Sequence, residues 1–172
     1  AGAVFGFSWS SGMKGMAHVG ALRVFQSARV DFSVIVGTSA GAMAGALYAA
    51  GKSADEMEHI IRTTPLRQWF GRDRSGMGLF STDGIRDVFE SILGKDAQIE
   101  NLPRRFGAVA VDIETQSEVV FDSGPVIDAV CASAAYPGLF APVRIQERVF
   151  IDGGTLNPVP FDVVRRWGGE YV

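Results

Sequence analysis

The chain has 172 residues, of which 47% are hydrophobic and 20% charged, and its net charge is −3. This length suits one hydrophobic core and is short for two, so we expect a single domain over residues 1–172. A net negative charge disfavours nucleic acid as a partner, and the lone cysteine excludes an intrachain disulfide. No apolar run approaches the roughly 20 residues that are needed to cross a bilayer.

Strand and helix patterns alternate along the chain. A capping box at Ser53 and Glu56 marks one helix start, and Gly51 and Gly94 mark two helix ends. In chain order the patterns predict a strand at 3–8, a helix at 14–29, a strand at 31–37, a helix at 40–50, a helix from 53, an irregular segment at 65–80, a helix from 81 or 82 to 93, strands at 106–115 and 117–123, a helix at 125–135, two strand segments within 143–154 and a helix at 159–167.

This alternation predicts an α/β domain, a three-layer sandwich in which a largely parallel central sheet has helices on both faces. The final residues, EYV at 170–172, are interpreted as the start of another strand. We therefore expect that the C-terminal edge of the domain is not included in the chain.

Ser39 has a glycine two residues away on each side, in the order G-x-S-x-G with Gly37 and Gly41. The motif lies between a predicted buried strand and a predicted helix, where a sharp turn exposes a nucleophilic hydroxyl near the helix N-terminus. Backbone N–H groups at that terminus favour developing negative charge. The alternative is a glycine-rich turn in which Ser39 caps the helix.

A nucleophilic serine requires a base, and the histidines are poorly placed for that role. His18 precedes Ser39, and His59 follows it by only 20 residues, inside a predicted helix. In an α/β-hydrolase the histidine comes last, after the acid. Asp152 is the better candidate because it ends a predicted strand, and Gly153 and Gly154 after it allow a tight turn. The alternative for Asp152 is an aspartate that only forms an Asx turn.

Three blocks together resemble the patatin-like phospholipase family, and compact bacterial members most of all. They are SSGMKG at 10–15, GTSAG at 37–41 and DGG at 152–154, and SAAYPGLFAPV at 133–143 resembles a fourth. The resemblance implies a catalytic dyad of Ser39 and Asp152 without histidine.

The resemblance also implies an oxyanion hole in the first block. Its donors would be backbone N–H groups of Ser11, Gly12 and Met13, and Lys14 and Gly15 would support the loop. The family usually has glycine where this chain has Ser10 and Ser11, and a serine at a positive φ is strained.

The activity implied is that of a serine acyl hydrolase that cleaves fatty-acyl esters of phospholipids or lysophospholipids, with no cofactor and no metal. We expect a location in the cytoplasm or at a membrane surface, and the oligomeric state is not predicted. Two alternatives stay open: an inactive patatin-fold interaction domain, and a phosphate- or nucleotide-binding α/β domain, since SSGMKG follows a strand and opens a helix.

Three further features have mainly structural interpretations. His18 is expected to be structural, and Cys131 is expected to be a small buried hydrophobe. The segment 65–80 combines aromatic and methionine side chains with three glycines and three arginines. It is expected either to pack in the core or to form a mobile apolar rim that contacts an acyl chain or a lipid surface.

Overall fold

The computed structural model describes residues 2–5 and 15–169, with side chains described from residue 17 onward. Six α-helices and eight strands lie in this part of the chain. The helices are α1 (Gly15–Ser27), α2 (Ala40–Ala49), α3 (Ala54–Thr63), α4 (Asp83–Leu93), α5 (Val126–Ala134) and α6 (Phe161–Arg166). The strands are β1 (Gly2–Phe5), β2 (Val34–Thr38), β3 (Gly71–Arg72), β4 (Phe80–Ser81), β5 (Arg105–Asp112), β6 (Ser117–Phe121), β7 (Val143–Ile145) and β8 (Arg148–Asp152).

Six of these strands form the central sheet, in the order β1-β2-β5-β8-β7, and β6 also pairs with β5. Strands β1, β2 and β5 are parallel, whereas β6 and β8 run antiparallel to β5 and β7 runs antiparallel to β8. Four of the six strands therefore point in one direction, which agrees with the predicted largely parallel sheet.

Helices cover both faces of the sheet, as the sequence predicts. Along β2, Ile35 belongs to the large core cluster that the first five helices share, whereas Val36 packs with Val163 and Val164 of α6. This alternation between faces follows from the two-residue period of a strand. The domain is thus a three-layer α/β sandwich with its larger core on the α1–α5 side.

The carboxyl ends of β2 and β8 meet on one edge of β5. Strand β6 pairs with residues 108–112 of β5, so β2 and β8 share the opposite edge. The last pair of β2 is Thr38 with Val109, and the last pair of β8 is Asp152 with Ala110. Ser39 follows Thr38 directly, so the two strands bring Ser39 and Asp152 toward the same point from opposite directions.

Several predicted element boundaries change. The strand predicted at 31–37 begins at Val34, and the helix predicted at 159–167 is limited to Phe161–Arg166. Thr82 precedes α4, but its side chain makes no capping hydrogen bond. The capping box at Ser53 and Glu56 is confirmed by reciprocal hydrogen bonds.

The segment 65–80 has more order than the sequence pattern indicated. It contains a 3₁₀ turn at Leu66–Trp69 and the first strand of the β3–β4 hairpin. Trp69, Phe70 and Phe80 are partly buried and pack against the large core cluster. For these three side chains the structure therefore favours the core-packing alternative, because the hairpin folds them against the domain.

Candidate active site

Ser39 lies at the sharp turn between β2 and α2. Its backbone has φ 57° and ψ −124°, a conformation that side-chain-bearing residues rarely adopt. Its side chain makes no capping hydrogen bond to α2, so the alternative of a helix-capping serine is not supported. Strain of this kind costs on the order of 1–3 kcal/mol and persists only where the surrounding structure imposes it.

Gly37 makes this turn possible because it lets the backbone of β2 lie very close to the backbone of α2. Its own φ is not positive. A Cβ at position 37 would lie 2.3 Å from the carbonyl oxygen of Gly41, at the start of α2. Only a glycine allows the end of β2 to pack this closely against the helix. The two glycines of the motif therefore form the contact across which the chain reverses at Ser39.

Ser133, on α5, fixes the backbone of this turn. Its hydroxyl accepts a hydrogen bond from the Ser39 N–H at 2.9 Å and donates one to the Val109 carbonyl at 2.6 Å. Ser133 is fully buried. Ser133 is the first residue of the fourth block that resembles the family, and this position is the only signal of its role in the sequence.

Asp152 is a fully buried carboxylate at the end of β8. Its Oδ1 accepts a hydrogen bond from the Gly154 N–H at 2.7 Å, and its own N–H donates to the Ala135 carbonyl at 3.0 Å. Oδ2 is buried without a hydrogen-bond partner in the part of the chain that the structure describes. A buried oxygen in this condition is unusual in a native structure, and a catalytic role is one of its known explanations.

Burial raises the pKa of Asp152 to about 6, although the Ser39 hydroxyl and the Gly154 N–H both act to lower it. The influence of Ser39 agrees with the strand geometry, which brings the ends of β2 and β8 together on β5. Oδ2 nevertheless has no partner that meets strict hydrogen-bond geometry among the described residues. Long or poorly aligned contacts of this kind are common in ligand-free catalytic pairs and shorten when substrate binds.

Asp112 is a second buried carboxylate, and it has a cationic partner that Asp152 lacks. Burial acts to raise the pKa of Asp112, but Arg148 and two backbone N–H groups outweigh it, so this pKa lies below its ordinary value. The Arg148 Nε lies 2.6 Å from Asp112 Oδ2. Asp152 has no cationic partner of this kind among the described residues, which is why its pKa rises.

The loop after Asp152 is tied to the Ser39 turn. The Thr38 hydroxyl donates to the Asn157 carbonyl at 3.0 Å, and the Asn157 N–H donates to the Gly153 carbonyl at 2.8 Å. A Cβ at position 153 would lie 2.3 Å from the Val109 carbonyl oxygen, so a side chain does not fit there. The glycine at 153 is therefore required by packing against β5.

Neither histidine is among the groups that shift the pKa of Asp152. His59 is exposed on α3, and His18 is partly buried on α1. Cys131 is fully buried, and burial raises the pKa of its thiol to about 11, which agrees with the predicted small buried hydrophobe. A thiol with such a pKa is a poor nucleophile at neutral pH.

Most of the predicted oxyanion loop lies outside the described residues. This applies to Ser10, Ser11, Gly12, Met13 and Lys14, whereas Gly15 is the first residue of α1. In the described part of the chain, no cluster of three or more histidine, cysteine or acidic residues could hold a metal. Likewise, no described helix is long and apolar enough to span a membrane.

The family model for patatin-like phospholipase matches residues 11–165 of this chain. The chain belongs to the patatin-like phospholipase family. The match includes the Ser39 turn, the end of α5 and the end of β8, so the geometry described above lies within the family domain.

Relatives in this family come from bacteria and mammals. An uncharacterised NTE family protein of Mycobacterium tuberculosis is 35% identical over 154 residues, which are 88% of this chain and 42% of that protein. Patatin-like phospholipase domain-containing protein 7 of Rattus norvegicus is 31% identical over 175 residues, which are 94% of this chain and 12% of that protein. The chain thus spans less than half the length of these relatives, and the predicted extent of the domain stays a prediction.

Solved structures with a similar fold include a bacterial protein. VipD from Legionella pneumophila matches with a TM-score of 0.66 over 86% of this chain and 45% of its own. The sequence identity is 13%, so this likeness concerns the fold alone. It agrees with a central sheet that is covered by helices.

Proposed function

We propose that the protein is a serine acyl hydrolase that cleaves fatty-acyl esters of phospholipids or lysophospholipids, with Ser39 as nucleophile and Asp152 as base. One observation carries this proposal: a strained serine at a helix N-terminus next to a buried carboxylate whose pKa is raised to about 6. Family membership supplies the lipid character of the substrate.

The raised pKa suits Asp152 to proton transfer near neutral pH. A carboxylate with the ordinary value of 3.8 is a weak base at pH 7, whereas one with a pKa near 6 is still mostly ionised and accepts a proton more readily. The second oxygen, Oδ2, is not engaged by other described groups and is available to receive that proton.

The reaction follows from this pairing. As the Ser39 Oγ bonds to the acyl carbonyl carbon, its proton passes to Asp152. The tetrahedral intermediate then collapses, and the departing alkoxide takes the proton from Asp152. Water attacks the acyl-enzyme while Asp152 accepts its proton, and the proton returns to the Ser39 Oγ as the fatty acid leaves.

Negative charge on the intermediate develops beside the N-terminus of α2. The first N–H groups of a helix have no partner within it, and the helix dipole is positive at this end. Backbone donors from residues 11–13 would complete the oxyanion hole, and this part of the assignment rests on the family motif.

A serine-reactive fluorophosphonate tests the proposal, together with turnover of p-nitrophenyl esters and of phospholipid vesicles. Ser39→Ala is expected to abolish both labelling and turnover, whereas the exposed Ser123→Ala is a matched control that should retain both. Unlabelled but folded wild-type protein would contradict the hydrolase and favour an inactive interaction domain or a phosphate-binding domain.

For contact with the lipid surface, we propose the tip of the β3–β4 hairpin, residues 73–79. Met77 and Leu79 are 62% and 71% exposed there. Arg72 and Arg74 beside them are exposed and can attract anionic headgroups. Contact here would place the protein peripherally on a membrane.

The hairpin tip is connected to the candidate site through the segment that follows α5. The Phe80 N–H donates to the Leu139 carbonyl at 2.9 Å, and the carbonyl of Ala135, four residues earlier, accepts the Asp152 N–H. Asp73 holds the tip in shape by accepting hydrogen bonds from the N–H groups of Ser75 and Gly78. The tip thus has a defined shape, and its base is hydrogen-bonded to the segment that also contacts Asp152.

Vesicle co-sedimentation tests this surface. Met77→Ser with Leu79→Ser is expected to weaken binding to anionic phosphatidylglycerol vesicles while sparing turnover of a soluble ester. A matched control replaces Val24, which is 67% exposed on α1, by serine. Equal loss in the control, or no loss in the double variant, would assign lipid contact to another surface.

A further inference from the structure

The most informative contact outside the proposed dyad is made by the Ser133 hydroxyl. This hydroxyl lies beside the point on β5 where pairing with β2 stops and pairing with β8 begins. The last residue of β2 pairs with Val109, and the last residue of β8 pairs with Ala110. At this junction the Val109 carbonyl receives the Ser133 hydroxyl at 2.6 Å. The backbone of Gly153 also packs against this carbonyl, so that no side chain fits between Gly153 and Val109.

The same hydroxyl accepts the N–H of Ser39 at 2.9 Å. It therefore donates to the central strand and accepts from the strained turn at once. A hydroxyl can do this because it carries one donor and two acceptor lone pairs. Alanine can do neither, and the thiol of cysteine does both weakly.

We propose that Ser133 is a positioning residue that holds Ser39 in its reactive conformation. This inference rests on the proposed function and adds a residue to it. The N–H that Ser133 binds belongs to the nucleophile's own residue, whose combination of φ 57° and ψ −124° is unfavourable for a residue with a Cβ. Releasing that N–H lets the turn relax toward a more ordinary conformation, which moves Oγ away from Asp152.

Displacements of about 1 Å at a reacting atom lower rates by up to about 100-fold. Ser133→Ala is therefore expected to lower kcat by about 10- to 100-fold. KM for a short soluble ester should change little, because Ser133 is fully buried and does not touch substrate. Ser133→Cys should give an intermediate kcat.

Cys131→Ala is the matched control. Cys131 lies two residues earlier on α5, is equally buried, and contacts the carbonyl of Thr82 rather than the Ser39 turn. Both alanine variants remove one buried polar atom from the same helix, so both should lower the thermal midpoint. Only Ser133→Ala should lower kcat.

The experiment measures kcat and KM for p-nitrophenyl butyrate, thermal midpoints, and hydrogen exchange of the Ser39 amide. Faster Ser39 exchange with reduced kcat in Ser133→Ala, and neither change in Cys131→Ala, would support the inference. Wild-type kcat in folded Ser133→Ala, a loss confined to KM, or an equal loss of kcat in Cys131→Ala would overturn it. If Ser133→Ala does not fold, the same measurements are made on Ser133→Cys. Wild-type kcat and unchanged Ser39 exchange in that variant would overturn the inference.

Amide exchange separates this inference from the proposed function, because it does not require hydrolysis. If Ser39→Ala retained turnover, the nucleophile assignment would fail. Unchanged Ser39 exchange in Ser133→Ala would instead show that Ser133 does not hold the turn, whichever residue attacks the ester.

Discussion

Replacing Asp152 by asparagine should inactivate the protein and stabilise it at neutral pH. Asparagine can keep the hydrogen bond from the Gly154 N–H but cannot accept a proton from Ser39. Burial raises the pKa of Asp152 from 3.8 to about 6, so the folded state is less stable when this carboxylate is ionised. At 1.36 kcal/mol per pKa unit, the penalty at pH 7 is about 3 kcal/mol.

The pH dependence has a definite sign. Between pH 3.8 and about 6 the folded state binds the Asp152 proton more tightly than the unfolded state does, so the free energy of unfolding falls as pH rises. Between pH 5 and pH 8 this group alone should lower the free energy of unfolding by about 1.4 kcal/mol. Asparagine does not titrate, so the variant lacks this component.

Urea unfolding of both proteins at pH 5 and pH 8 measures the effect. All other titrating groups are shared, so the difference between wild type and Asp152→Asn should shift by about 1.4 kcal/mol in favour of the variant at pH 8. A difference independent of pH would refute the raised pKa. A folded variant with wild-type turnover would refute the role of Asp152 as base.

Three further predictions concern the Ser39 turn and the histidines. Ser39→Gly should be about 1 kcal/mol more stable to urea than Ser39→Ala, since glycine adopts a positive φ without strain; equal stabilities would argue against stored strain. Gly37→Ala should reduce turnover and destabilise the fold by about 1–3 kcal/mol, because its Cβ would lie 2.3 Å from the Gly41 oxygen. An unchanged thermal midpoint and kcat would contradict the close contact between residues 37 and 41. His18→Gln and His59→Gln should each keep most of the activity in a pH–rate profile; a folded histidine variant as inactive as Asp152→Asn would exclude the dyad.

Local sequence signals located much of the fold and of the candidate site. Apolar strand patterns, the capping box at Ser53 and the glycines around Ser39 depend on nearby residues, so they can be read from a short window. The direction of β8 cannot be read from a short window, because it depends on how distant strands pair. Sequence reasoning placed Asp152 at a strand end of a largely parallel sheet, whereas β8 is antiparallel to β5 and approaches from the other side.

Contacts between distant segments explain what sequence reasoning missed. Ser133 binds the backbone of a residue 94 positions away, and its hydroxyl has no local pattern that would reveal this. The aromatic side chains of 65–80 look exposed in a glycine-broken segment. Phe70 and Phe80 instead pack against the distant Phe140, which stacks with Phe70 at a centroid distance of 5.6 Å.

The end-to-end meeting of β2 and β8 on β5 has a consequence for folding. Ser39 and Asp152 are far apart in sequence, and each is carried by a strand that must dock on the same edge of β5. Pairings between distant segments form slowly, because the chain loses loop entropy before it gains their contacts. Esterase activity during refolding should thus recover only when both strands have docked, later than the helical signal, which makes turnover a sensitive probe of the last stage of assembly.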